Sequence, residues 1–597
     1  MNDVDKPWFA LRRRNLAREK RARVLHRIGV AAKVVALAAF ILVTNFGFLD
    51  RVSLLAQNGR WATLVPFLAV WGVCVAALYV AAFQPRFSVR ALWAIPIALS
   101  TACAWSYFEA SKSDLNVFDV VSLWSARHEA SRAAEFYSSQ IVTSLIVFAL
   151  GFLVIVSPPA PAKRLSRLWL SRLSWVPIVP IVMIAAIIVM KQGGGSQALP
   201  KQFAPIAVTA VAAERLATQG STDRRAVEWT PQANARMPHI VMLVDESIRA
   251  DFLELTPGSL HTPELAKLRA NFVDFGPAAS AGNCSHYSNA LLRFAASRRD
   301  TIKTVRTNPT IWEFAKKAGY RTVYIDGQAG VNKNPGLLQN FMSVREKQSI
   351  DGFYTIQNVS SDQADFELLK IIDRELKSSQ PVFIYANKNG AHFPYDKAYP
   401  AAESLYGPTM SEAGEDTPST RIASYRNAVR WSVDHFFDEF FKATDLANTA
   451  VIYTSDHGQA LLAGQLTHCV VEDPDPVQGL VPLMAITGDK ELRQRFEAGA
   501  RLNQGRASHF EIAPTLLELM GYRDRDVQAF YGESLFTVPI APPAFTSGDV
   551  FGLFSDQVNS TPVDLNKSYL DSVARTVLPR NPAARASASA GENQTVQ

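Results

Sequence analysis

The sequence predicts two architectures in succession, a bundle of membrane-spanning helices followed by a soluble α/β domain with a mostly parallel central sheet. Two observations support this prediction. Long apolar runs dominate the chain as far as Met190, and helix and strand signals alternate after Lys191. The average composition conceals the division, because 48% hydrophobic residues and a mean hydropathy near zero describe neither half.

Five apolar runs approach the length that crosses a bilayer, which is roughly 20 mostly apolar residues. Buried helices of a soluble core are the alternative reading. Five runs in succession with basic residues between them favour membrane spans instead. No small-residue cleavage site follows the first run, so a cleaved signal peptide is not expected. The predicted spans cover residues 29–49, 62–83, 90–107, 140–158 and 174–190.

The charge pattern predicts the orientation of these spans. Residues 1–27 carry nine Lys/Arg against three Asp/Glu. Such an arm can bind nucleic acid, but beside a membrane span it indicates a cytoplasmic end, so no nucleic-acid partner is expected. The loops 84–90 and 158–173 are basic and lack acids, whereas 109–138 has three Lys/Arg against five Asp/Glu. Five crossings then place everything after Lys191 in the periplasm of a bacterium, with the spans in the inner membrane.

The same signals divide the chain into five regions and give the soluble part its elements. Strands are predicted at 239–247, 321–327, 381–387, 449–458 and 481–487, with helices over 309–320 and 421–443. This alternation is typical of a parallel sheet covered on both faces. The regions are a basic cytoplasmic arm (1–28), the membrane domain (29–190), a linker with an interfacial helix (191–237), the soluble periplasmic domain (238–547) and a poorly ordered tail (548–597).

Potential metal ligands follow three of the predicted strands. In a parallel sheet, ligands bind at the carboxyl ends of the strands. Carboxylates together with imidazoles suit Zn²⁺ or Mn²⁺. Taken singly, an acid pair after a strand is often a helix cap, and an Asp-His pair is often structural. The side chains that share this position are Asp245, Glu246, His392, Asp456 and His457, and a further candidate, His468, lies eleven residues beyond His457.

Several segments of the soluble part resemble a known superfamily. "HIVMLVDESIRADF", "WEFAKKAGYRTVYIDGQ", "NGAHFPYDKAYP", "YRNAVRWSVDHFFDEFF", "VIYTSDHGQ" and "SHFEIAPTLLELMGY" follow one another in the order seen in the alkaline phosphatase superfamily. They look most like its sulfatase-type transferases. Five spans before such a domain resemble the phosphoethanolamine transferases that modify lipid A and the membrane-bound lipoteichoic-acid synthases. The resemblance covers nearly all of residues 30–525.

The resemblance implies a set of roles at the strand ends. A divalent metal, Zn²⁺ or alternatively Mn²⁺, would be held by Glu246, Asp456, His457 and the nucleophile, with Asp245 as an extra ligand. His392 and His468 match positions that hold substrate phosphate or a second zinc. Asn387 stands where lipid A transferases have a further histidine, which speaks against that second zinc. His286 lies beside the expected site and is a candidate substrate contact. In every case a helix cap or a wall of the site is the structural alternative.

The nucleophile of the family lies in the segment 280–292, "SAGNCSHYSNALL". Its members usually have threonine there, and true sulfatases have a formylglycine made from cysteine. Cys284 stands at that position with Ser285 next to it, and the Cys-x-Pro-Ser-Arg maturation pattern is absent. Ser285 could attack, Cys284 could attack as a metal-bound thiolate, or the segment could have lost catalysis. A disulfide between Cys284 and Cys469 in the oxidising periplasm is a further alternative, and it would leave Ser285.

The function that the resemblance implies is metal-dependent transfer of phosphoethanolamine through a covalent intermediate. The expected donor is a membrane phospholipid, and the expected acceptor is lipid A or another envelope glycan. A sulfatase or phosphodiesterase that uses water as the acceptor is one alternative. A catalytically inactive sulfatase-like protein that senses lipid in the membrane is the other.

Overall fold

The computed structural model describes residues 6–45, 47–57, 59–111, 114–125, 138–158, 164–218, 224–232, 237–328, 344–461, 467–471, 473–555, 557–570 and 572–580. The chain divides into two compact units. The first comprises residues 1–121 and 137–218, and the second comprises residues 122–136 and 219–597.

The first unit is helical. Its helices are α1 (Lys6–Thr44), α2 (Phe48–Gln57), α3 (Trp61–Ala82), α4 (Phe87–Ser111), α5 (Val117–Ser125), α6 (Ser138–Val156), α7 (Arg164–Arg172), α8 (Ile178–Met190) and α9 (Ala204–Thr218). Close packing depends on a small residue in α6. A Cβ on Gly151 would lie 2.6 Å from Phe40 Cζ and 3.4 Å from Ala98 Cβ, so glycine lets the helices approach each other.

A helix lies at each of the five predicted spans, but the spans differ in length. Within the described residues, three segments are long and apolar enough to cross a membrane: Arg18–Thr44, Trp61–Ala82 and Phe87–Glu109. The helices Gln140–Val156 and Ile178–Met190 are apolar but shorter. A helical membrane region is therefore supported, while the count of five spans stays a prediction.

The second unit is built on a seven-stranded sheet in the order β2-β7-β6-β1-β5-β3-β4. The pairs β1–β5, β1–β6, β3–β4 and β3–β5 are parallel, whereas β7 is antiparallel to β2 and β6. The predicted mostly parallel sheet is confirmed. Its strands are β1 (His239–Asp245), β2 (Val273–Ala279), β3 (Arg321–Asp326), β4 (Gly352–Thr355), β5 (Val382–Asn387), β6 (Thr449–Ser455) and β7 (Leu480–Thr487).

Helices cover both faces of this sheet. They are α10 (Pro263–Leu268), α11 (Ser285–Arg293), α12 (Thr301–Thr307), α13 (Ile311–Lys317), α14 (Val344–Gln348), α15 (Ala364–Leu376), α16 (Met410–Ala413), α17 (Pro418–Val429), α18 (Phe436–Ala443), α19 (Lys490–Asn503), α20 (Ile512–Leu519), α21 (Asp524–Tyr531) and α22 (Ser572–Thr576). The helix predicted over 421–443 is present, but a π-helical stretch at Arg430–His435 separates α17 from α18.

Alternation along the central strand β1 separates two hydrophobic cores. Ile240, Met242 and Val244 belong to one core, whereas Val241 and Leu243 belong to the other. Successive side chains of a strand point to opposite faces of its sheet. The two acidic residues at the end of β1 are therefore expected to face opposite sides, which decides their roles.

The C-terminal boundary drawn from the sequence needs correction. A second, two-stranded sheet pairs β8 (Ala544–Ser547) with β9 (Asn559–Pro562), and α22 follows. Both β9 and α22 lie in the segment assigned to a poorly ordered tail. Apolar burial explains the error, since Val563 and Leu565 pack with Phe545 in a small core that local sequence periodicity does not reveal.

Candidate active site

Two neighbouring strands deliver the central acidic side chains. β1 and β6 are parallel and in register, with Asp245 opposite Ser455. Glu246 and Asp456 each follow directly, so both leave the same edge of the sheet. The backbone here is unusual, because Ser247 has a positive φ of 65°. Its amide donates to Asp456 Oδ1 at 3.0 Å and its hydroxyl donates to Glu246 Oε1 at 2.5 Å, which holds both carboxylates in place.

Glu246, Asp456 and His457 form a group with the geometry of a metal site, called the ligand group below. One ligand atom from each lies within 4.8 Å of the others, and all three residues are buried. His457 Nε2 is 3.5 Å from Glu246 Oε1 and 3.7 Å from Asp456 Oδ2. Among the described residues, Asp456 Oδ2 is buried and has no hydrogen-bond partner. Two buried carboxylates, one of them unsatisfied, fit a divalent cation.

The protonation of the ligand group reflects its burial. Burial and, to a lesser degree, the Asp456 carboxylate raise the pKa of Glu246 to about 7, although His457 and His392 oppose the shift. Burial also raises the pKa of Asp456 and lowers that of His457. A bound cation would lower the pKa of both Glu246 and Asp456, because it stabilises the ionised carboxylates.

The ring of His457 is oriented by the backbone. Its Nδ1 lies 2.8 Å from Gly458 O, and a carbonyl oxygen can only accept a hydrogen bond. The proton of the neutral ring is therefore on Nδ1. The lone pair of Nε2 then points toward the ligand group, which is the arrangement expected of a metal-binding histidine.

The hydroxyl group of Ser285 lies next to the ligand group. It is the first residue of α11, and its Oγ lies 3.1 Å from Glu246 Oε2 and 3.1 Å from His457 Nε2. Asn289 fastens the turn, because its Nδ2 donates to Ser285 O at 3.0 Å and its Oδ1 accepts from the Tyr385 hydroxyl at 2.7 Å. A hydroxyl at a helix N-terminus beside metal ligands is well placed to attack an anionic substrate.

Of the two candidate nucleophiles, Cys284 is excluded by the structure. Its sulfur is bonded to that of Cys469, with Cα atoms 4.7 Å apart. A disulfide sulfur is not a thiolate, so the reading of Cys284 as a metal-bound nucleophile is corrected. The alternative that left Ser285 as the nucleophile agrees with this bond.

Asp245 is not part of the ligand group. Its carboxylate lies on the other side of the sheet, where Oδ2 is 2.6 Å from Lys388 Nζ and accepts from the Tyr453 hydroxyl at 3.0 Å. Both charged partners are fully buried. The prediction that Asp245 is an extra metal ligand is therefore corrected, and strand alternation is the physical reason.

The remaining predicted residues surround the ligand group to different degrees. The His468 ring stacks on the His457 ring, with centroids 4.3 Å apart. His392 is close enough to affect the pKa of Glu246 and His457, and its Nδ1 is 2.7 Å from Phe393 O. The His286 ring packs on the Tyr287 ring, with centroids 4.1 Å apart.

The region that contains the site matches a known family. Residues 238–522 match the family model described as Sulfatase. This region is a sulfatase-family domain. The match agrees with the resemblance stated from the sequence, and that prediction is confirmed.

Individual relatives of the chain carry related names. Phosphoethanolamine transferase EptC of Escherichia coli O18:K1:H7 is 28% identical over 162 residues, 26% of this chain and 27% of that protein. The chain thus matches only about a quarter of the length of this curated relative.

Two solved structures extend the comparison. The integral membrane lipooligosaccharide phosphoethanolamine transferase A (EptA) from Neisseria meningitidis aligns over 83% of this chain and 96% of its own, with a TM-score of 0.59 and 18% identity. At that identity the likeness concerns the fold. The periplasmic domain of EcEptC from Escherichia coli in complex with Zn covers 59% of this chain and 99% of its own at 18% identity. Its TM-score is 0.44.

One contact in the sulfatase domain was missed from the sequence. Gln328 Nε2 donates to Glu246 Oε2 at 3.0 Å and to Lys388 O at 2.8 Å. Gln328 follows β3, so it occupies a strand end like the predicted ligands. The signal in the sequence is an amide side chain directly after a buried strand, where the predicted ligands are carboxylates and imidazoles.

Proposed function

We propose that the protein transfers phosphoethanolamine from a membrane phospholipid such as phosphatidylethanolamine to lipid A or another envelope glycan. Ser285 is the nucleophile. The observation that carries the proposal is the position of Ser285 Oγ, 3.1 Å from both Glu246 Oε2 and His457 Nε2 at the start of a helix. The sulfatase-family match and the likeness to proteins named phosphoethanolamine transferases support this choice of reaction.

The metal is proposed to be zinc, with manganese as the alternative. Glu246, Asp456 and His457 would hold it together with the Ser285 oxygen, since two carboxylates, an imidazole and an alkoxide suit either ion. When bound, the cation lowers the pKa of the nucleophile and neutralises charge on the phosphoryl oxygens. The unsatisfied Asp456 Oδ2 supports this assignment.

The side chains would carry out the transfer in two displacements. Ser285 Oγ loses its proton and attacks phosphorus, and the bond from phosphorus to the diacylglycerol oxygen breaks as that oxygen leaves and takes up a proton. An acceptor hydroxyl or phosphate on the glycan then loses its proton and attacks the same phosphorus, and the bond from phosphorus to Ser285 Oγ breaks as that oxygen regains a proton. The N-terminus of α11 favours the negative charge on the phosphoryl oxygens during both steps.

Four further residues are proposed to contact the substrate. His392 and His468 flank the ligand group and can donate hydrogen bonds to phosphoryl oxygens. Asn387 is fully buried at the end of β5, and in the described part of the chain neither of its amide atoms has a hydrogen-bond partner. Such an amide is costly unless a ligand satisfies it. His286, the second residue of α11, is the fourth candidate.

The membrane region is proposed to bring the domain to its lipid substrates. Five spans with the basic arm on the cytoplasmic side place residues 238–547 in the periplasm, following the positive-inside rule. A lipid donor and a lipid-linked acceptor both lie in a membrane, so an anchored enzyme meets them at its surface. The fold likeness to an integral membrane protein over 83% of the chain supports this arrangement.

The test is incubation of the purified full chain in detergent with phosphatidylethanolamine labelled in its headgroup. Peptide mass spectrometry should find a phosphoethanolamine adduct on Ser285. The S285A variant should form none. S288A is the matched control, because Ser288 lies on the same helix but bonds His509 instead of the ligand group, and it should still form the adduct.

The outcome separates the alternatives. An adduct that is lost to water, with no transfer to added lipid A, would favour the hydrolase. Absence of an adduct from metal-loaded wild-type protein would contradict the proposal and favour a lipid-sensing role. An adduct on any other residue would overturn the assignment of Ser285.

A further inference from the structure

One covalent bond joins the two sides of the active site. Cys284 directly precedes Ser285, and Cys469 directly follows His468, although the two cysteines are 185 residues apart. The other cysteines, Cys74 and Cys103, lie in the first unit and are not paired. The chain's single disulfide therefore lies next to the proposed nucleophile and to an imidazole at the ligand group.

Backbone and side-chain hydrogen bonds surround this disulfide. The Cys469 amide donates to Asn283 O at 2.8 Å, and Asn283 Nδ2 donates to Val470 O at 2.7 Å and to Gln478 Oε1 at 2.8 Å. Cys469 also has a φ of 63°, in the left-handed region that a Cβ disfavours. Residues held in this region persist when their surroundings fix them, and they concentrate at functional sites.

The crosslinked residues continue into the ligand group on both sides. Ser285 Oγ lies 3.1 Å from His457 Nε2, and the His468 ring stacks on the same His457 ring at 4.3 Å. A closed circuit therefore runs from Ser285 through His457 and His468 and returns through the disulfide. The disulfide is the covalent link in this circuit, and without it the segments that contain Ser285 and His468 are joined by hydrogen bonds.

We propose that Cys284 and Cys469 are positioning residues, and that their disulfide sets the distance between the nucleophile and the His468 side of the site. The proposal rests on the proposed function. Its consequence is that phosphoryl transfer depends on the oxidation state of this pair. A displacement of about 1 Å in an active site can reduce a rate by about 100-fold, so the reduced enzyme is expected to transfer about 10 to 100 times more slowly.

The test compares single-turnover formation of the Ser285 adduct in oxidised and reduced full-length protein in detergent, again with headgroup-labelled phosphatidylethanolamine. Tris(2-carboxyethyl)phosphine donates two electrons to the disulfide and becomes its phosphine oxide. Water supplies the oxide oxygen and two protons, and two thiols result. Alkylation and mass spectrometry then count the thiols at Cys284 and Cys469. The C284A/C469A variant gives the open state without a reductant.

The assay is carried out well below the melting temperatures of both proteins. Reduced wild type and the double variant should both form the adduct slowly, and their metal content should be unchanged. Reductant should not slow the double variant further, which excludes an effect on the metal. Equal rates in oxidised and reduced wild type would overturn the positioning proposal. This comparison does not require the double variant, so it remains decisive if that variant does not fold. Failure of the oxidised enzyme to form any adduct would instead overturn the proposed function. If the disulfide had only a structural role, its reduction would lower the melting temperature and leave the single-turnover rate unchanged.

Discussion

Gln328 shows how much a single side chain can contribute to the proposed metal site. Its amide donates to the Glu246 carboxylate at 3.0 Å and to a backbone carbonyl at 2.8 Å. A group that orients a metal ligand in this way does not bind the metal itself. It fixes the rotamer of the ligand and stabilises its charge through the hydrogen bond. Because Gln328 is buried with Glu246, solvent does not replace its hydrogen bond easily.

The Q328A variant tests this contribution at the residue scale. Loss of such an orienting partner typically costs about 10- to 100-fold in metal affinity or activity, and we expect a loss in that range for Zn²⁺ affinity. Competition with a chelating indicator measures it on the full chain. Q357A is the matched control, since Gln357 is exposed and contacts Thr355. Equal affinities for Q328A and Q357A would contradict the assigned role.

At the scale of elements, the turn after β5 is fitted against the end of β1. Gly390 has a φ of 54°, and a Cβ there would lie 2.4 Å from Asp245 Oδ1 and 2.6 Å from Glu246 O. Asp365 holds the turn by accepting from the amides of Asn389 at 2.6 Å and Gly390 at 3.2 Å. This turn leads directly to His392, so its fit against Glu246 fixes both sides of the site.

Comparison of G390A with G258A isolates the effect of that fit. Both glycines have positive φ, but nothing lies within 4 Å of a Cβ at Gly258. G258A should therefore cost only the left-handed backbone, about 1–2 kcal/mol. G390A should destabilise more and lower metal affinity, because the methyl group displaces Glu246. Thermal unfolding and the indicator assay measure both effects. Equal losses in the two variants would show that the close approach has no consequence.

At the scale of the whole molecule, a buried histidine couples folding to pH. His509 bonds Thr454 Oγ1 at 2.8 Å and Ser288 Oγ at 3.2 Å, linking β6 to α11. Burial lowers its pKa to about 3, against about 6.5 in an unfolded chain. Between these values the unfolded state binds a proton that the folded state does not. Stability is therefore complete above about pH 6.5 and is lost as the pH falls toward 3.

The H509Q variant should remove this contribution. Wild type is expected to lose up to about 1.4 kcal/mol per pH unit through His509 below about pH 6, and the variant should show a shallower fall of melting temperature between about pH 6 and pH 4. Other acidic groups titrate in both proteins, so the difference between the two slopes reports His509. Parallel slopes would indicate that His509 does not titrate between the folded and unfolded states.

Particular residues show which parts of the site the sequence could predict. Glu246, Asp456 and His457 follow buried apolar runs that form adjacent parallel strands, so their convergence follows from the general geometry of parallel sheets. Gln328 obeys the same geometry but was missed because only carboxylates and imidazoles were taken as metal-site signals. The C-terminal strand β9 was missed because its four residues pair with β8 through contacts that leave no strong local pattern.

The sequence by itself determined the division into a helical membrane region and an α/β domain, the sheet type and the strands that end in candidate metal ligands, because burial gives the apolar residues of each element a characteristic local period. Only the tertiary structure decided that Asp245 faces Lys388 and that Cys284 is bonded to Cys469. It also decided that Ser285 is the hydroxyl beside Glu246 and His457. These outcomes depend on which distant segments meet, and on the face to which each neighbouring side chain points. These contacts join residues as many as 185 positions apart and leave no periodic trace in the chain.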